Sequence, residues 1–402
     1  MAHMSRDVDL LFSARSIRLF AYGALSVVLA LYLHEVGLNG TTIGLLFTLT
    51  LAGDAGISLW ITTTADRIGR KKMLLLGAGL MVLAGVVFSL TGNIVLLMIA
   101  AFIGVISPSG NEIGPFLSLE QAALSQLLPS EQRTKAFAWY NLAGSLATAA
   151  GALGGGWLSQ GLHYAGMTVF ASYRAVVLGY AACGGILLVL FLFLSAAVEA
   201  EATPVVKERV LGLHKSKGIV MKLSALFALD AFSGGFIIQS MVAYWFHIKF
   251  GLEPGVLGSI FFGANILAGI SALLAVPLSA RIGLINTMVF THIPSNVLLC
   301  LVPFMPTLGL AIAVLLVRFS ISQMDVPTRQ SYTMAVVAPD ERSAAAGVTG
   351  IARSLGASVS PVLAGAFLAS PVLASAPFLV AGGLKIVYDL LLYRSFKKSD
   401  VK

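Results

Sequence analysis

Residues 65–73 read ADRIGRKKM, a short run with one carboxylate and four basic side chains between two long apolar stretches. The triplet Arg67-Ile68-Gly69 within this run recurs as Arg281-Ile282-Gly283, again between apolar stretches. Stretches of about 20 apolar residues are long enough to cross the roughly 30 Å hydrocarbon core of a bilayer. The run therefore predicts a loop between two membrane spans, and its recurrence predicts an internal repeat.

The composition of the whole chain supports a membrane protein. Of the 402 residues, 57% are hydrophobic and 11% are charged, and the mean hydropathy is +0.91. A soluble domain carries about 25% charged residues. The net charge of +8 does not indicate nucleic-acid binding, because the basic residues lie in short clusters between apolar stretches. Cys183 and Cys300 both lie inside such stretches, so no disulfide framework is expected.

The apolar windows predict an all-α integral membrane protein with twelve transmembrane helices. The predicted spans lie near 15–36, 41–63, 73–91, 94–127, 136–158, 174–197, 220–246, 255–279, 284–303, 306–330, 343–369 and 375–394. A hydrophilic linker at 199–218 divides them into six-helix bundles at 15–198 and 219–394. The remaining segments are an N-terminus at 1–14, whose residues 1–3 resemble a cloning remnant, and a tail at 395–402. No cleavable signal peptide is expected, since the first apolar stretch is long enough to stay in the membrane.

The distribution of lysine and arginine predicts the orientation. With a cytoplasmic N-terminus, most basic residues fall in inner segments, while the outer loops carry little beyond Arg174 and Lys249. This asymmetry follows the positive-inside rule. We therefore expect a multi-pass protein of the cell's inner (cytoplasmic) membrane, with both termini in the cytoplasm.

The two halves match at fixed offsets. At an offset of 214, Gly37-Leu38 matches Gly251-Leu252 and Gly44 matches Gly258. At an offset of 209, Arg133 matches Arg342, and LLPSEQR lies opposite VVAPDER. Two six-helix bundles related by a pseudo-twofold axis along the membrane normal are a repeat plan of secondary transporters.

With these motifs the chain resembles the major facilitator superfamily (MFS). ADRIGRKKM is similar to the loop signature of that family, although Thr62 stands where the usual leading glycine is expected. PSEQR (129–133) and PDERS (339–343) resemble the elements that follow its fourth and tenth spans. The resemblance implies a conformational role for the loop residues Asp66, Arg67, Gly69, Arg70, Arg133, Arg281, Gly283 and Arg342. It also implies that spans one, four, seven and ten line the central path.

Charged residues within spans are costly, at about 2.5–3.5 kcal/mol each, so each needs water or a partner. The charged positions are Asp54, Glu112, Glu120, Asp230, Arg318, Asp325, Arg329 and Arg353, together with Lys385 and Asp389. The i,i+4 spacing of the last two predicts that they neutralise each other. Structural ion pairs are the alternative for every position, but the spans implied to line the path carry most of the charge. Neutral polar groups expected along the same path are Asn111, Tyr140, Asn141 and Gln239.

The stretch ISPSGNEIGPFLSLEQ (106–121) places two carboxylates in span four. Glu112 lies at mid-depth, where burial favours a titrating acid, and is the first candidate for proton coupling. Asp54 is the second, and Asp230 is a further rival. Pro115 predicts a bend beside Glu112. The repeat aligns Glu120 with Arg329, so we expect these two residues to form an inner gate that pairs in the outward-facing state.

These features predict a secondary active transporter that moves a small organic solute by alternating access. Proton coupling is expected, with efflux of a drug or metabolite slightly favoured, although Ala100 and Ala150-Gly151 depart from the antiporter motifs. Proton-coupled uptake of an organic anion or nutrient is the alternative, and a solute sensor that does not pump is the alternative of another class. No P-loop and no metal-ligand spacing occurs, which predicts no enzyme, no cofactor and no metal. The expected partners are a small-molecule solute, protons or another ion, and the lipid bilayer; the expected state is a monomer.

Overall fold

The computed structural model of the chain describes residues 2–111, 115–199, 213–338 and 341–397. The described part contains fifteen α-helices and no strand. They are α1 (Ala2–Glu35), α2 (Gly40–Ile68), α3 (Arg70–Leu90), α4 (Ile94–Ile103), α5 (Phe116–Leu127), α6 (Ser130–Tyr164), α7 (Val169–Leu192), α8 (Lys217–Gly235), α9 (Gln239–Phe250), α10 (Pro254–Ile282), α11 (Leu284–Leu301), α12 (Leu308–Ile321), α13 (Asp325–Val336), α14 (Arg342–Leu368) and α15 (Ala376–Phe396).

The fifteen helices correspond to the twelve predicted spans, because three spans consist of two helices each. Span four is α4 with α5, span seven is α8 with α9, and span ten is α12 with α13. Ten helical segments of the described part are long and apolar enough to cross a membrane. The all-α fold with twelve spans is therefore confirmed.

The prediction that span four is one bent helix was wrong. Its two helices, α4 and α5, are separated by residues 104–115, which are not helical wherever the structure describes them. The gap contains Pro108 and Pro115, which lack the backbone N–H that an intrahelical bond requires. Gly110 adds a φ of +71°, outside the right-handed helical region. Two prolines and a left-handed glycine thus end the helix instead of bending it.

Spans seven and ten are interrupted more briefly, at residues 236–238 and 322–324. Pro327 lies in the first turn of α13, where the missing N–H costs no hydrogen bond. Non-helical backbone at membrane depth is tolerated only where protein buries it or water reaches it. Discontinuous helices are also a common way to build transporter binding sites. The three interruptions therefore indicate that the polar groups beside them belong to a candidate functional site.

The chain forms two compact units. Unit one comprises Met1–Thr203 with Gln239–Phe262, and unit two comprises Pro204–Ile238 with Gly263–Lys402. Residues 239–262 belong to unit one in this division, although they lie in the second predicted bundle. The predicted bundles at 15–198 and 219–394 stay a prediction.

In unit one, α1 is the central helix and packs against α6 and α7. Its middle is almost fully buried, and glycines of α6 bring the two backbones together. A Cβ added to Gly155 would lie 2.6 Å from the Cα of Ala24, and one added to Gly151 would lie 2.0 Å from the backbone oxygen of Phe20. Close packing of α1 with α6 therefore requires the absence of side chains at these positions.

In unit two, α8 packs against α14 and α15, and α11 packs against α12, α13 and α15. Phe227 on α8, Met288 on α11, Tyr332 on α13 and Tyr388 on α15 belong to one buried apolar cluster. This cluster packs the four helices together around polar side chains such as Asp230, Arg329 and Lys385.

The packing of α1 on α6 predicts that G155A destabilises the protein. The new methyl group would overlap the backbone of α1, and overpacking of this kind costs about 1–3 kcal/mol. The matched control is G161A on the same helix, where no atom lies within 4 Å of the added Cβ. Thermal unfolding of the purified variants should show a lower Tm for G155A and an unchanged or higher Tm for G161A. Equal Tm values would contradict the packing.

Candidate functional site

Charged side chains of unit two meet around Asp230 on α8. We call Asp230, Asp325, Arg329, Arg353 and Lys385 the Asp230 cluster; they come from α8, α13, α14 and α15. Asp230 is only 4% exposed. Lys385 Nζ donates to its Oδ1 at 2.5 Å, and Arg329 Nη1 donates to its Oδ2 at 3.0 Å. These charge-assisted bonds compensate the carboxylate for the loss of water.

Arg329 joins two carboxylates. Its Nη1 atom lies 3.0 Å from Asp230 Oδ2 and 3.0 Å from Asp325 Oδ2, and Asp325 precedes it by one turn of α13. The guanidinium also stands over the ring of Phe227, 5.4 Å from its centroid. Because the break at 322–324 starts α13 at Asp325, both residues belong to its first two turns.

Two other arginines of unit two have buried donors without hydrogen-bond acceptors. Arg353 Nη1 is buried and lies 3.6 Å from Asp230 Oδ2, beyond hydrogen-bond distance. Yet 36% of the Arg353 side chain is exposed, the largest exposed fraction in the Asp230 cluster. Arg318 is buried at the end of α12 with its Nε atom unbonded, and its guanidinium stands over the Phe319 ring. Both guanidinium groups therefore retain capacity to bind an anion.

A second polar group lies on α11 and α15. Asp389, 0% exposed, is bonded to His292 Nδ1 at 2.8 Å through Oδ1 and to Asn296 Nδ2 at 3.1 Å through Oδ2. Lys385, one turn earlier on α15, bonds to Asp230 instead. The prediction that Lys385 and Asp389 pair with each other was therefore wrong. Lys385 bonds to Asp230 of α8, and Asp389 bonds to His292 and Asn296 of α11.

The balance of charge in this region is positive. Among the described residues of the Asp230 cluster, Arg318 and Asp389, four cationic side chains face three carboxylates. Buried charge is normally balanced by partners. Among these residues, one positive charge therefore has no carboxylate to balance it.

Unit one contains a buried ion pair on α1 and α5. Arg18 donates from both terminal nitrogens to the two carboxylate oxygens of Glu120 at 2.7 Å each, and both side chains are fully buried. Tyr140 on α6 donates a further hydrogen bond to Glu120. Nearby, Arg15 bonds to Asn141 at 3.3 Å and stands over the Tyr140 ring. The bidentate geometry is the strongest form of arginine–carboxylate pairing.

The two units use corresponding helices with opposite charges. Arg18 on α1 and Asp230 on α8 lie 212 residues apart, and Glu120 on α5 and Arg329 on α13 lie 209 apart. In each unit the first span is ionically paired with the second half of the fourth. Each unit therefore has an ion pair between the same two helices of the repeat, with the acid and the base exchanged.

A family model described as Major Facilitator Superfamily matches residues 11–361. The chain belongs to the Major Facilitator Superfamily. As a member of it, the protein is a membrane transporter that moves solutes.

Three individual comparisons show what the chain is similar to. The uncharacterized membrane protein YJR124C of Saccharomyces cerevisiae is 30% identical over 429 residues, covering 99% of this chain and 96% of the yeast protein. The quinolone resistance protein NorA of Staphylococcus aureus is 26% identical over 136 residues, or 34% of each chain. The crystal structure of the nucleoside transporter NupG superposes with a TM-score of 0.72 at 15% identity, covering 97% of this chain and 99% of that one. The last likeness concerns the fold.

The predicted proton-coupling and solute residues of the transporter fall into separate groups. Asp230, Asp325, Arg318 and Arg353 lie together in unit two, as described above. Tyr140 and Asn141 lie beside the Arg18–Glu120 pair. Asp54 accepts a bond from Ser58 on α2 at 3.3 Å, Gln239 donates to Ser26 at 2.7 Å, and Asn111 follows Gly110 in the interruption of span four. Glu112, the first candidate for proton coupling, lies outside the described residues.

The two predicted gate residues each have partners within their own unit. Glu120 is bonded to Arg18, and Arg329 is bonded to Asp230 and Asp325. Arg18 lies in the predicted first span, where a basic charge inside an apolar stretch indicates a buried partner. A Glu120–Arg329 pair in another state stays a prediction, and it would have to compete with these bonds.

The loop residues implied by the family occupy corresponding places in the two units. Gly69 and Gly283 have φ values of +115° and +88°, in the region that favours glycine, and each directly precedes a helix. Arg70 bonds to Gln126, and its backbone N–H donates to Glu199 at 2.6 Å. Glu199 thus caps the start of α3, which the sequence did not indicate.

The arginines of this loop set have less in common. Arg133 donates to the backbone oxygen of Leu128 and Arg342 to that of Met334. Arg67 and Arg281 are exposed, and the side chain of Asp66 lies outside the described residues. The conformational role of the set stays a prediction.

Glu341, also missed from the sequence, connects two helices of unit two. It precedes α14, and its carboxylate accepts the backbone N–H groups of His214, Lys215 and Ser216 before α8. Burial opposes ionisation, but the bonds from the Ser216 hydroxyl and these three N–H groups outweigh it and lower the pKa of Glu341 to about 2.

The Glu341 contacts predict a pH-dependent contribution to stability. Because the folded pKa, about 2, lies below the ordinary value of 4.5, the contribution is fully present above pH 4.5 and is lost as the pH falls towards 2. We expect E341Q to have a lower Tm than the wild type at neutral pH, and the difference to shrink across that acidic interval. A difference that is constant with pH would contradict the assignment.

The Arg18–Glu120 pair predicts a double-mutant result. R18M leaves a buried, uncompensated carboxylate, which costs about 3–5 kcal/mol, whereas an apolar pair is often close to neutral. The Tm of R18M should therefore fall strongly, and R18M/E120M should recover much of the loss. K222M, which changes an exposed lysine of α8, is the control. An R18M protein with the same Tm as the wild type would contradict a stabilising role for the pair.

Proposed function

We propose that the protein is a proton-coupled transporter of a small organic anion. The observation that carries the proposal is the uncompensated positive charge in unit two, where four cationic side chains face three carboxylates among the described residues. A carboxylate or phosphate group of the solute would supply the missing negative charge. Transport proceeds by alternating access without a chemical step, as in other transporters built from two repeats.

Arg353 is the proposed point of contact with the solute. Its side chain is the partly exposed one in the Asp230 cluster, and its buried Nη1 atom has no hydrogen bond. A guanidinium can bind a carboxylate or phosphate through two parallel bonds. Arg318 would add a second positive charge from the end of α12. Asp230 would hold Arg353 in place without satisfying it.

Efflux of a drug or metabolite is the second candidate function. The observation in its favour is the similarity of 136 residues to the quinolone resistance protein NorA. The surplus of arginine in unit two favours the anion instead, because a cationic or neutral drug would leave that charge unbalanced.

The location of the protein belongs to the same proposal. The protein is a multi-pass membrane protein. We propose the inner (cytoplasmic) membrane, with both termini in the cytoplasm, because the lysines and arginines between spans follow the positive-inside rule. We propose that the monomer is the transporting form.

The proposal predicts that anions stabilise the purified protein and move across sealed vesicles. A thermal-shift screen of succinate, gluconate, glucose 6-phosphate, neutral sugars and organic cations is followed by uptake into proteoliposomes under an imposed pH gradient. We expect stabilisation and gradient-driven accumulation within the anion group. Accumulation of a neutral or cationic solute, with none for the anions, would overturn the proposal.

The role of Arg353 predicts a graded pair of variants. R353A removes a charged hydrogen-bonding group, an interaction of about 1.5–3 kcal/mol, so the KM for the anion should rise by about tenfold to a hundredfold. R353K keeps the charge but loses the planar fork, and should lie between R353A and the wild type. K222A removes an exposed positive charge of the same unit and should transport as the wild type does. Equal KM values for R353A and K222A would exclude Arg353 from the site.

A further inference from the structure

His292 and Asp389 form a buried acid–imidazole pair between α11 and α15. The two atoms that join them, His292 Nδ1 and Asp389 Oδ1, lie 2.8 Å apart. Asn296 Nδ2 donates a hydrogen bond to the other carboxylate oxygen, Asp389 Oδ2, at 3.1 Å. No arginine or lysine donates a hydrogen bond to Asp389 within the described residues. The group that can carry a compensating positive charge at direct hydrogen-bond distance is therefore the imidazole itself.

This geometry is suited to holding one exchangeable proton. With a neutral imidazole and an ionised carboxylate, the pair carries one negative charge, stabilised by two hydrogen bonds. One added proton makes it an imidazolium–carboxylate ion pair or a neutral acid with a neutral imidazole, and the same 2.8 Å contact serves both forms. Histidine is the side chain whose charge ordinarily changes between about pH 5 and 8. The pair can thus bind and release a proton without rearranging its partners.

The surroundings of the pair connect it to the Asp230 cluster. From α15 it is faced by Lys385 and Tyr388, and from α8 by Asp230, which Lys385 contacts at 2.5 Å. Beyond these lie the charged groups Asp325, Arg329 and Arg353 of α13 and α14, all of which also act on Tyr388. Lys385 stands one helical turn from Asp389, so a charge on the pair is felt by the cluster.

We propose that His292 and Asp389 bind the proton that drives transport, and that the bound proton strengthens anion binding at the Asp230 cluster. The inference rests on the proposed function for its anion, while the proton site itself rests on the pair. Binding a proton changes the surplus in this region from one positive charge to two. At the short distances and low polarity of a helix bundle, that added charge attracts an anion.

The coupling has a definite direction. If a bound proton raises the affinity for the anion, the anion must raise the affinity for the proton by the same factor. The protein with both the proton and the anion bound, and the protein with neither bound, are then favoured over the forms with one of them bound. This preference is the requirement for moving both in the same direction. The site therefore predicts symport of the anion with a proton.

The test of the proton site needs no solute. Infrared difference spectra of the purified protein between about pH 5 and 8 report protonated carboxyl groups, and ¹⁵N-histidine NMR reports imidazole protonation over the same interval. Among the imidazole signals that change over this interval, we expect one to vanish in H292Q, and any carboxyl band that appears in the same step to vanish in D389N. H247Q is the matched control, since His247 Nδ1 bonds to the backbone oxygen of Leu252 in unit one. It should leave the His292 step unchanged.

The result that would overturn the proton site is a pair that keeps a single protonation state across this interval. If D389N fails to fold, the comparison of H292Q with the wild type still tests the proton site, because the His292 imidazole signal is assigned from these two proteins. Spectra in which H292Q removes no pH-dependent imidazole signal and D389N removes no carboxyl band would also overturn it, since the exchangeable proton would then belong to other groups.

Transport assays separate this inference from the proposed function. For an anion of the panel that the wild type accumulates, H292Q and D389N should lower uptake driven by a pH gradient by about fivefold or more, in the range typical of coupling between sites. Exchange of the same anion at equal pH should persist. Gradient-driven uptake at wild-type rates in both variants would overturn the coupling role alone. Absence of anion transport in the wild type, with an intact His292 step, would overturn the proposed function and leave the proton site standing.

Discussion

Asp230 is a buried carboxylate in a membrane span, and its charge can persist there only because cations from three other helices surround it. Lys385, Arg329 and Arg353 therefore tie α15, α13 and α14 to α8 through one side chain. Removal of Lys385 or Arg329 would take a charge-assisted hydrogen bond from this carboxylate in a region of low polarity, which is far costlier than the loss of a surface ion pair. The polar geometry of unit two depends on this constraint.

Unit one meets the same constraint with the signs reversed. Arg18 and Glu120 satisfy each other completely, with two bonds between them and a third from Tyr140. In unit two the carboxylate of the pair, Asp230, is shared among three cations, and Arg353 is left with a buried donor that has no acceptor. The closed pair is suited to a structural role, whereas the shared carboxylate leaves positive charge available. This difference is why we place the proposed anion contact in unit two.

The interruptions of spans four, seven and ten have a related origin. Each lies on a span with one of the paired charges: Glu120 on span four, Asp230 on span seven and Arg329 on span ten. Each also leaves backbone groups without helical hydrogen bonds, which hydrocarbon cannot satisfy. The first is caused by Pro108, Gly110 and Pro115, and its effect is to start α5 only four residues before Glu120. The break before α13 likewise places Asp325 and Arg329 in the opening turns of a helix. The breaks thus determine where along the span these charged side chains lie.

The sequence by itself determined the all-α class, the number of spans, the internal repeat and most of the charged residues of the site, such as Asp230 and Arg353. These follow from local properties: the length of an apolar run needed to cross a bilayer, and the cost of a charge inside it. The sequence did not determine which charges pair. Spacing suggested Lys385 with Asp389 and the repeat suggested Glu120 with Arg329, whereas the structure pairs Lys385 with Asp230, Asp389 with His292, and Glu120 with Arg18. Only the tertiary structure could decide this, because a side chain pairs with the nearest opposite charge in space, and that partner comes from a helix about 100 to 155 residues away.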